Sequence, residues 1–170
     1  LKYSLSLRSQ FGSRPIYRLS VIGAADANAV IAALELEPTV LNAEANAIHS
    51  NPQARKNTAW TIGTKTAYAA QWAPQAMRLP QAHELSQGAG VRVAVLDTGV
   101  DPNPPALAGA LVPGRDWIDG DLDASEVYAP GSEAWGHGTH VAGIVKLIAP
   151  QAKIMPVRVL DAQGSGDVWT

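Results

Sequence analysis

The chain has 170 residues, 46% of them apolar, a formal net charge of −2 and no cysteine. That length can bury a sizeable core in one domain, or in a small domain plus part of another, and so small a charge gives no electrostatic ground for nucleic acid or an anionic membrane as partner. The lack of cysteine excludes disulfides, thiolate zinc sites and a cysteine nucleophile while leaving the compartment open, and no apolar run approaches the ~20 residues that span a bilayer. The first residues carry neither a starting methionine nor a signal-peptide pattern, which reads as a processed chain or a piece of a longer one.

Leu1 to Arg8 alternates apolar and polar residues, the period of a strand with one buried face. Gly12 and Pro15 break the pattern, and Ile16 to Ile22 resumes it, so the two runs read as a β-hairpin. Asp26 is placed to cap a helix whose apolar positions Val30, Ala33 and Leu34 recur at helical spacing until Pro38 stops it. Thr39 to Ala45 is expected as a further short strand. The order β-β-α-β over residues 1–47 matches the last four elements of a ferredoxin-like β-α-β-β-α-β sandwich whose first strand and helix are absent from the chain.

Residues 48–66, rich in Asn, Gln, Lys and Thr, have little periodicity and are expected as a linker accessible to proteases. Tyr68 to Met77 reads as irregular, and Pro80 to Ser86 as a short helix closed by Gly88 and Gly90. Val91 to Leu96 is a β-branched run ending in Asp97-Thr98-Gly99, expected as a strand buried on both faces with a carboxylate at its carboxyl end, where open α/β sheets place chemistry. Pro102 to Pro113 is proline-rich loop. The next segment, Gly114 to Asp123, carries Asp116, Asp119, Asp121 and Asp123 around Gly120. Such a run can wrap a hard cation such as calcium, or form a solvated acidic turn.

Trp135-Gly136-His137-Gly138-Thr139-His140 opens an apolar and small-residue run that ends at Pro150, expected as a buried helix beginning near His137. Gly136 and Gly138 clear both sides of His137, so that a partner or substrate can approach the imidazole. The alternative is that His137 and His140 are two satisfied core histidines. Lys153 to Leu160 reads as a second buried strand, so the two strands should form a right-handed crossover in a parallel sheet, with the helix stacked on it. An aspartate at a strand end and a histidine at a helix start are two members of a nucleophilic triad in which the carboxylate fixes the imidazole tautomer and the imidazole takes a proton from a hydroxyl. The order Asp before His is that of subtilisin.

Val93-Ala94-Val95-Leu96-Asp97-Thr98-Gly99-Val100-Asp101 and Gly136-His137-Gly138-Thr139-His140-Val141-Ala142-Gly143 resemble the aspartate and histidine motifs of the subtilisin-like serine proteases, and Pro156 to Gly166 is similar to the family's substrate-pairing strand and loop. The resemblance implies an α/β fold, a partial three-layer parallel-sheet catalytic domain over 67–170 preceded by a partial ferredoxin-like α+β propeptide over 1–47. It implies that Asp97 orients the imidazole, that His137 is the general base and His140 structural, and that Gly164, Ser165 and Gly166 line the non-primed substrate side. Asp116, Asp119 and Asp121 fall at the ligand positions of a calcium loop found in some members. The implied partners are a peptide or protein substrate and the chain's own propeptide, and the implied location is secreted or at the cell surface.

Two departures stand out. Ala106 replaces a calcium ligand that many relatives carry after the aspartate motif, and no Gly-Thr-Ser-Met-Ala nucleophile motif appears through Thr170. The expectation is a serine endopeptidase cut short at both ends and inactive alone. A pseudoprotease or binding module with the same fold is the alternative. An aspartic-protease reading of Leu96-Asp97-Thr98-Gly99 leaves the histidine motif unexplained.

Overall fold

A computed structural model describes residues 3–50, 65–128 and 131–169. The described chain falls into two compact units, one made of residues 3–48 with Asp167–Trp169, the other of the remaining residues up to Gly166.

In the first unit, strand β1 (Leu5–Gln10) pairs antiparallel with β2 (Tyr17–Val21), from Leu5 opposite Val21 to Gln10 opposite Tyr17, with a register shift between Leu7 and Ser9. The Phe11 N–H donates to the Ile16 carbonyl at 3.0 Å and closes the turn. Helix α1 (Ala27–Glu35) starts where Asp26 accepts the N–H groups of Asn28 and Ala29, satisfying two of the donors that a helix start leaves without partners. Its buried residue is Val30. The strand expected over Thr39 to Ala45 does not form: the Val40 N–H closes a turn on Glu37, Leu41 is fully exposed, and extended pairing begins only with β3 (Ile48–Ser50).

Of the expected linker, residues 51–64 lie outside the described residues, while 48–50 make β3 and Lys65 opens helix α2 (Lys65–Ala69). Residues 68–77, read as irregular, instead end α2 and form α3 (Trp72–Ala76), followed by α4 (Leu79–Leu85). Pro74 and Pro80 sit in the first turns of α3 and α4, where a missing N–H breaks no helical hydrogen bond. Each proline therefore starts a helix here.

The second unit is built on a parallel sheet in the order β4 (Arg92–Asp97), β6 (Lys153–Arg158), β5 (Arg115–Asp116). β4 runs in register with β6 from Arg92 opposite Lys153 to Asp97 opposite Arg158. Helix α5 (His137–Ile148) packs on β4 and β6 and shares with them a core of Val95, Val100, Leu107, Ala110, Ala142 and Ile154. The Tyr68 hydroxyl ties α2 to α5 by donating to the Gly143 carbonyl at 2.7 Å. β4 was expected to be buried on both faces, yet Leu96 is 62% exposed while Val95 and Asp97 are buried: as an edge strand of this sheet it is covered by α5 on one side only. Strand β7 (Ser165–Asp167) pairs with β3, whose His49 and Ser50 share the second unit with Ser165 and Gly166. Among the described residues no helix is long and apolar enough to cross a membrane.

Candidate active site

β4 delivers Asp97 at its carboxyl end and α5 begins with His137, so the sheet-helix packing sets the distance between them. Asp97 is 7% and His137 8% exposed, and Asp97 Oδ1 lies 2.7 Å from His137 Nδ1. The same oxygen accepts the Thr98 N–H at 2.8 Å. With the Nδ1 proton given to a carboxylate, the ring's lone pair is at Nε2, the tautomer a general base needs. The Asp97 carbonyl accepts the N–H groups of Val159 and Leu160 at 2.9 and 3.1 Å, so the exit of β6 fixes the backbone beneath the carboxylate.

Gly138 was expected to open the imidazole to a partner. A Cβ there would stand 2.0 Å from the Gly99 carbonyl oxygen and 3.1 Å from the Asp97 Cβ, so the missing side chain admits the protein's own loop. Gly99, at φ 101°, takes a conformation that favours glycine. The two glycines let the start of α5 meet the end of β4 at backbone contact.

A residue that the sequence reading did not single out closes the arrangement. Glu126 Oε1 accepts from the Thr98 hydroxyl at 2.8 Å and from the Gly138 N–H at 3.1 Å, and Oε2 accepts from the Thr139 hydroxyl at 2.8 Å. The Thr139 hydroxyl oxygen in turn accepts the Asp101 N–H at 2.8 Å. Burial pushes the Glu126 carboxyl above its usual value, with the hydrogen bonds from Thr98 and Thr139 pulling the other way. The only hint in the sequence was a threonine one residue after Asp97 and another two after His137, hydroxyls that need an acceptor once buried.

Gly164 ends a turn anchored on Asp161, whose carbonyl accepts the Gly164 N–H at 2.9 Å and whose Oδ1 accepts the Ser165 N–H at 2.9 Å, and Ser165 and Gly166 open β7. The Ala134 N–H donates to the Ala162 carbonyl at 3.3 Å, joining this loop to the one that leads into His137.

The acidic loop does not fit a calcium ion as its residues are placed. Asp116, 1% exposed, spends Oδ1 on the N–H groups of Ile118 and Asp119, and the buried Arg158 guanidinium donates to Asp116 Oδ2 at 2.6 Å and also to Asp119. Asp121 turns its Oδ1 to the Asp123 N–H at 2.9 Å. Among the described residues no three acidic or histidine side chains converge as a metal would need. The Arg158 guanidinium bridges two of these carboxylates, and although burial works against its charge, its pKa is held above the usual value by the hydrogen bonds to Asp119 and Asp116.

A buried Asp–His pair formed by a strand end and a helix start, on a parallel sheet, is an arrangement in which a carboxylate orients an imidazole. The Subtilase family model matches residues 88–170, the segment that carries both Asp97 and His137. Thermitase of Thermoactinomyces vulgaris is 41% identical over 110 residues, covering 59% of this chain and 37% of thermitase. A thermophilic serine proteinase of Bacillus sp. (strain AK1) is 33% identical over 160 residues, covering 88% of this chain and 36% of that protein. The crystal structure of a lanthipeptide protease aligns at a TM-score of 0.51 and 28% identity, over 71% of this chain and 33% of that one. The chain thus spans about a third of the length of the curated relatives it matches.

Proposed function

We propose that this chain supplies the aspartate and the general base of a subtilisin-type serine endopeptidase. The observation that carries the reading is the 2.7 Å contact between Asp97 Oδ1 and His137 Nδ1. In the proposed reaction Asp97 holds the imidazole with Nε2 toward the substrate. Nε2 takes the proton of a serine hydroxyl as its oxygen attacks the peptide carbonyl, then passes that proton to the departing amine. The serine is no residue of a Gly-Thr-Ser motif within 1–170, so the reading requires a hydroxyl from outside this stretch. An extended substrate would lie as an added strand along Gly164, Ser165 and Gly166, bound through its backbone.

Residues 1–47 act in this reading as the chain's own propeptide, a role supported by the compactness of the first unit. Export from the cell belongs to the same proposal and is checked by fractionating the producing organism with antibody to this chain. Calcium at Asp116, Asp119 and Asp121 takes no part in it.

The test is labelling by a serine-directed phosphonate probe, with peptide turnover, in protein expressed from its complete reading frame. Labelling is expected in the wild type and lost in His137→Ala; in subtilisin itself, removing the histidine costs roughly a million-fold in turnover. Turnover that persists in the variant would overturn the assignment of His137. A wild type that neither labels nor cleaves but still binds peptide would establish the binding-module reading instead.

A further inference from the structure

The start of α5 lacks a cap of its own. Gly136 stands at the N-cap position with no side chain to accept the N–H groups of the first turn, which in most helices fall to the cap residue or to water. Glu126 takes that place from a separate segment, its Oε1 facing the Gly138 N–H at 3.1 Å and the Thr139 N–H at 3.5 Å. The same carboxylate holds the hydroxyl of Thr98, the residue after Asp97, and that of Thr139, two after His137. Its partners therefore come from both segments that carry the Asp–His pair. An ionised carboxylate suits this position because it only accepts, on two oxygens with several lone pairs, and because a negative charge is favoured at a helix N-terminus.

We propose that Glu126 is a positioning residue for the Asp97–His137 pair, a cap supplied by another segment of the chain that locks the loop after β4 to the first turn of α5 and so fixes the geometry of the imidazole. This rests on the proposed hydrolytic reading, in which that geometry limits the rate. Glu126 lines an open cleft of about 360 Å³ with Asp101, Asn103, Ser125, Tyr128 and Trp135, and water can reach the carboxylate from there. Burial at this place disfavours the charged form. A carboxylate kept where its charge is costly, and bonded to both halves of the site, is one retained for what it orients.

The test uses Glu126→Gln and Thr98→Val in protein expressed from its complete reading frame. Glu126→Gln keeps the shape but turns one acceptor arm into a donor; Thr98→Val cuts one arm of Glu126 and also removes the Thr98 hydroxyl that accepts the Gly138 N–H at 3.1 Å, leaving Glu126 as the acceptor there. Expected for Glu126→Gln are a kcat about a hundredfold lower with KM unchanged, as for a displaced catalytic group, and a melting temperature at pH 7 no lower than the wild type's. The low-field proton resonance of His137 Nδ1–H should exchange with water about tenfold faster, the weight of one charge-assisted hydrogen bond. Thr98→Val should move kcat and exchange in the same direction by less.

An unchanged Nδ1–H exchange in both variants would overturn the proposal, as would a loss of kcat matched by a loss of melting temperature, which marks a merely structural residue. The resonance is read without any turnover. A wild type that shows the resonance and its dependence on Glu126 but no serine-directed labelling would leave the brace standing and remove the hydrolytic reading.

Discussion

Three buried or half-buried side chains can be separated at the residue scale, and each answers to a different substitution. Asp97→Asn leaves a hydrogen-bonding group in place but can present its amide N–H to Nδ1 and favour the wrong tautomer; turnover by the full protein should drop about 10⁴-fold with little change in folding, measured as kcat beside a melting curve. Glu126 carries a pH signature. Its carboxyl in the folded chain sits above the 4.5 of an unperturbed glutamate, so the stability it contributes is fully present below that value and is lost as pH rises through the folded value. The difference in melting temperature between Glu126→Gln and wild type should therefore shift in the variant's favour from pH 4 to pH 7; a shift the other way would mean that the folded chain prefers the ionised form. Arg158 is the third. Removing the guanidinium in Arg158→Met leaves Asp116 buried without its countercharge, and a loss of about 3–5 kcal/mol in unfolding free energy is expected from denaturant titration.

At the scale of elements, the decisive contact is backbone to backbone. Gly138→Ala would place a Cβ 2.0 Å from the Gly99 carbonyl oxygen, where neither the helix start nor the loop is a flexible side chain able to move aside. A loss of about 1–3 kcal/mol is expected, with turnover falling because α5 must slide away from β4. The acidic loop gives a second element-scale test: any chelator-induced change in melting temperature should be equal in wild type and Asp119→Asn, and a change confined to the wild type would place a cation on this loop. Long periodic elements were legible in the sequence. The helix read from near His137 to Pro150 is observed as His137–Ile148, and the strand read over Lys153 to Leu160 as Lys153–Arg158, because apolar runs bounded by glycine and proline carry their own limits. α2 and α3 were not legible, since each is five residues long and is fixed by contacts such as the Tyr68 hydroxyl on Gly143. Glu126 and Arg158 escaped for the same reason: each is fixed by partners distant in the chain, such as Gly138 for Glu126 and Asp119 for Arg158, and leaves no periodic trace nearby.

For the molecule as a whole, the Asp–His pair lies within one compact unit, while the first 48 residues belong largely to the other. If maturation is carried out by the site itself, His137→Ala should leave the chain uncut between His49 and Thr66 in intact-mass spectra, and unchanged processing would assign the cut to another protease. The pairing of β4 on β6 has a consequence for how such measurements are counted. Asp97 stands opposite Arg158, and Leu96, one step back, faces the open side of the sheet at 62% exposure. Sliding β4 by one residue would exchange them, presenting a leucine to His137 and turning the carboxylate outward. A molecule with the pair in contact has thus already passed an alignment check on β4 and β6, so the His137 Nδ1–H resonance reports the fraction of chains assembled in the correct register.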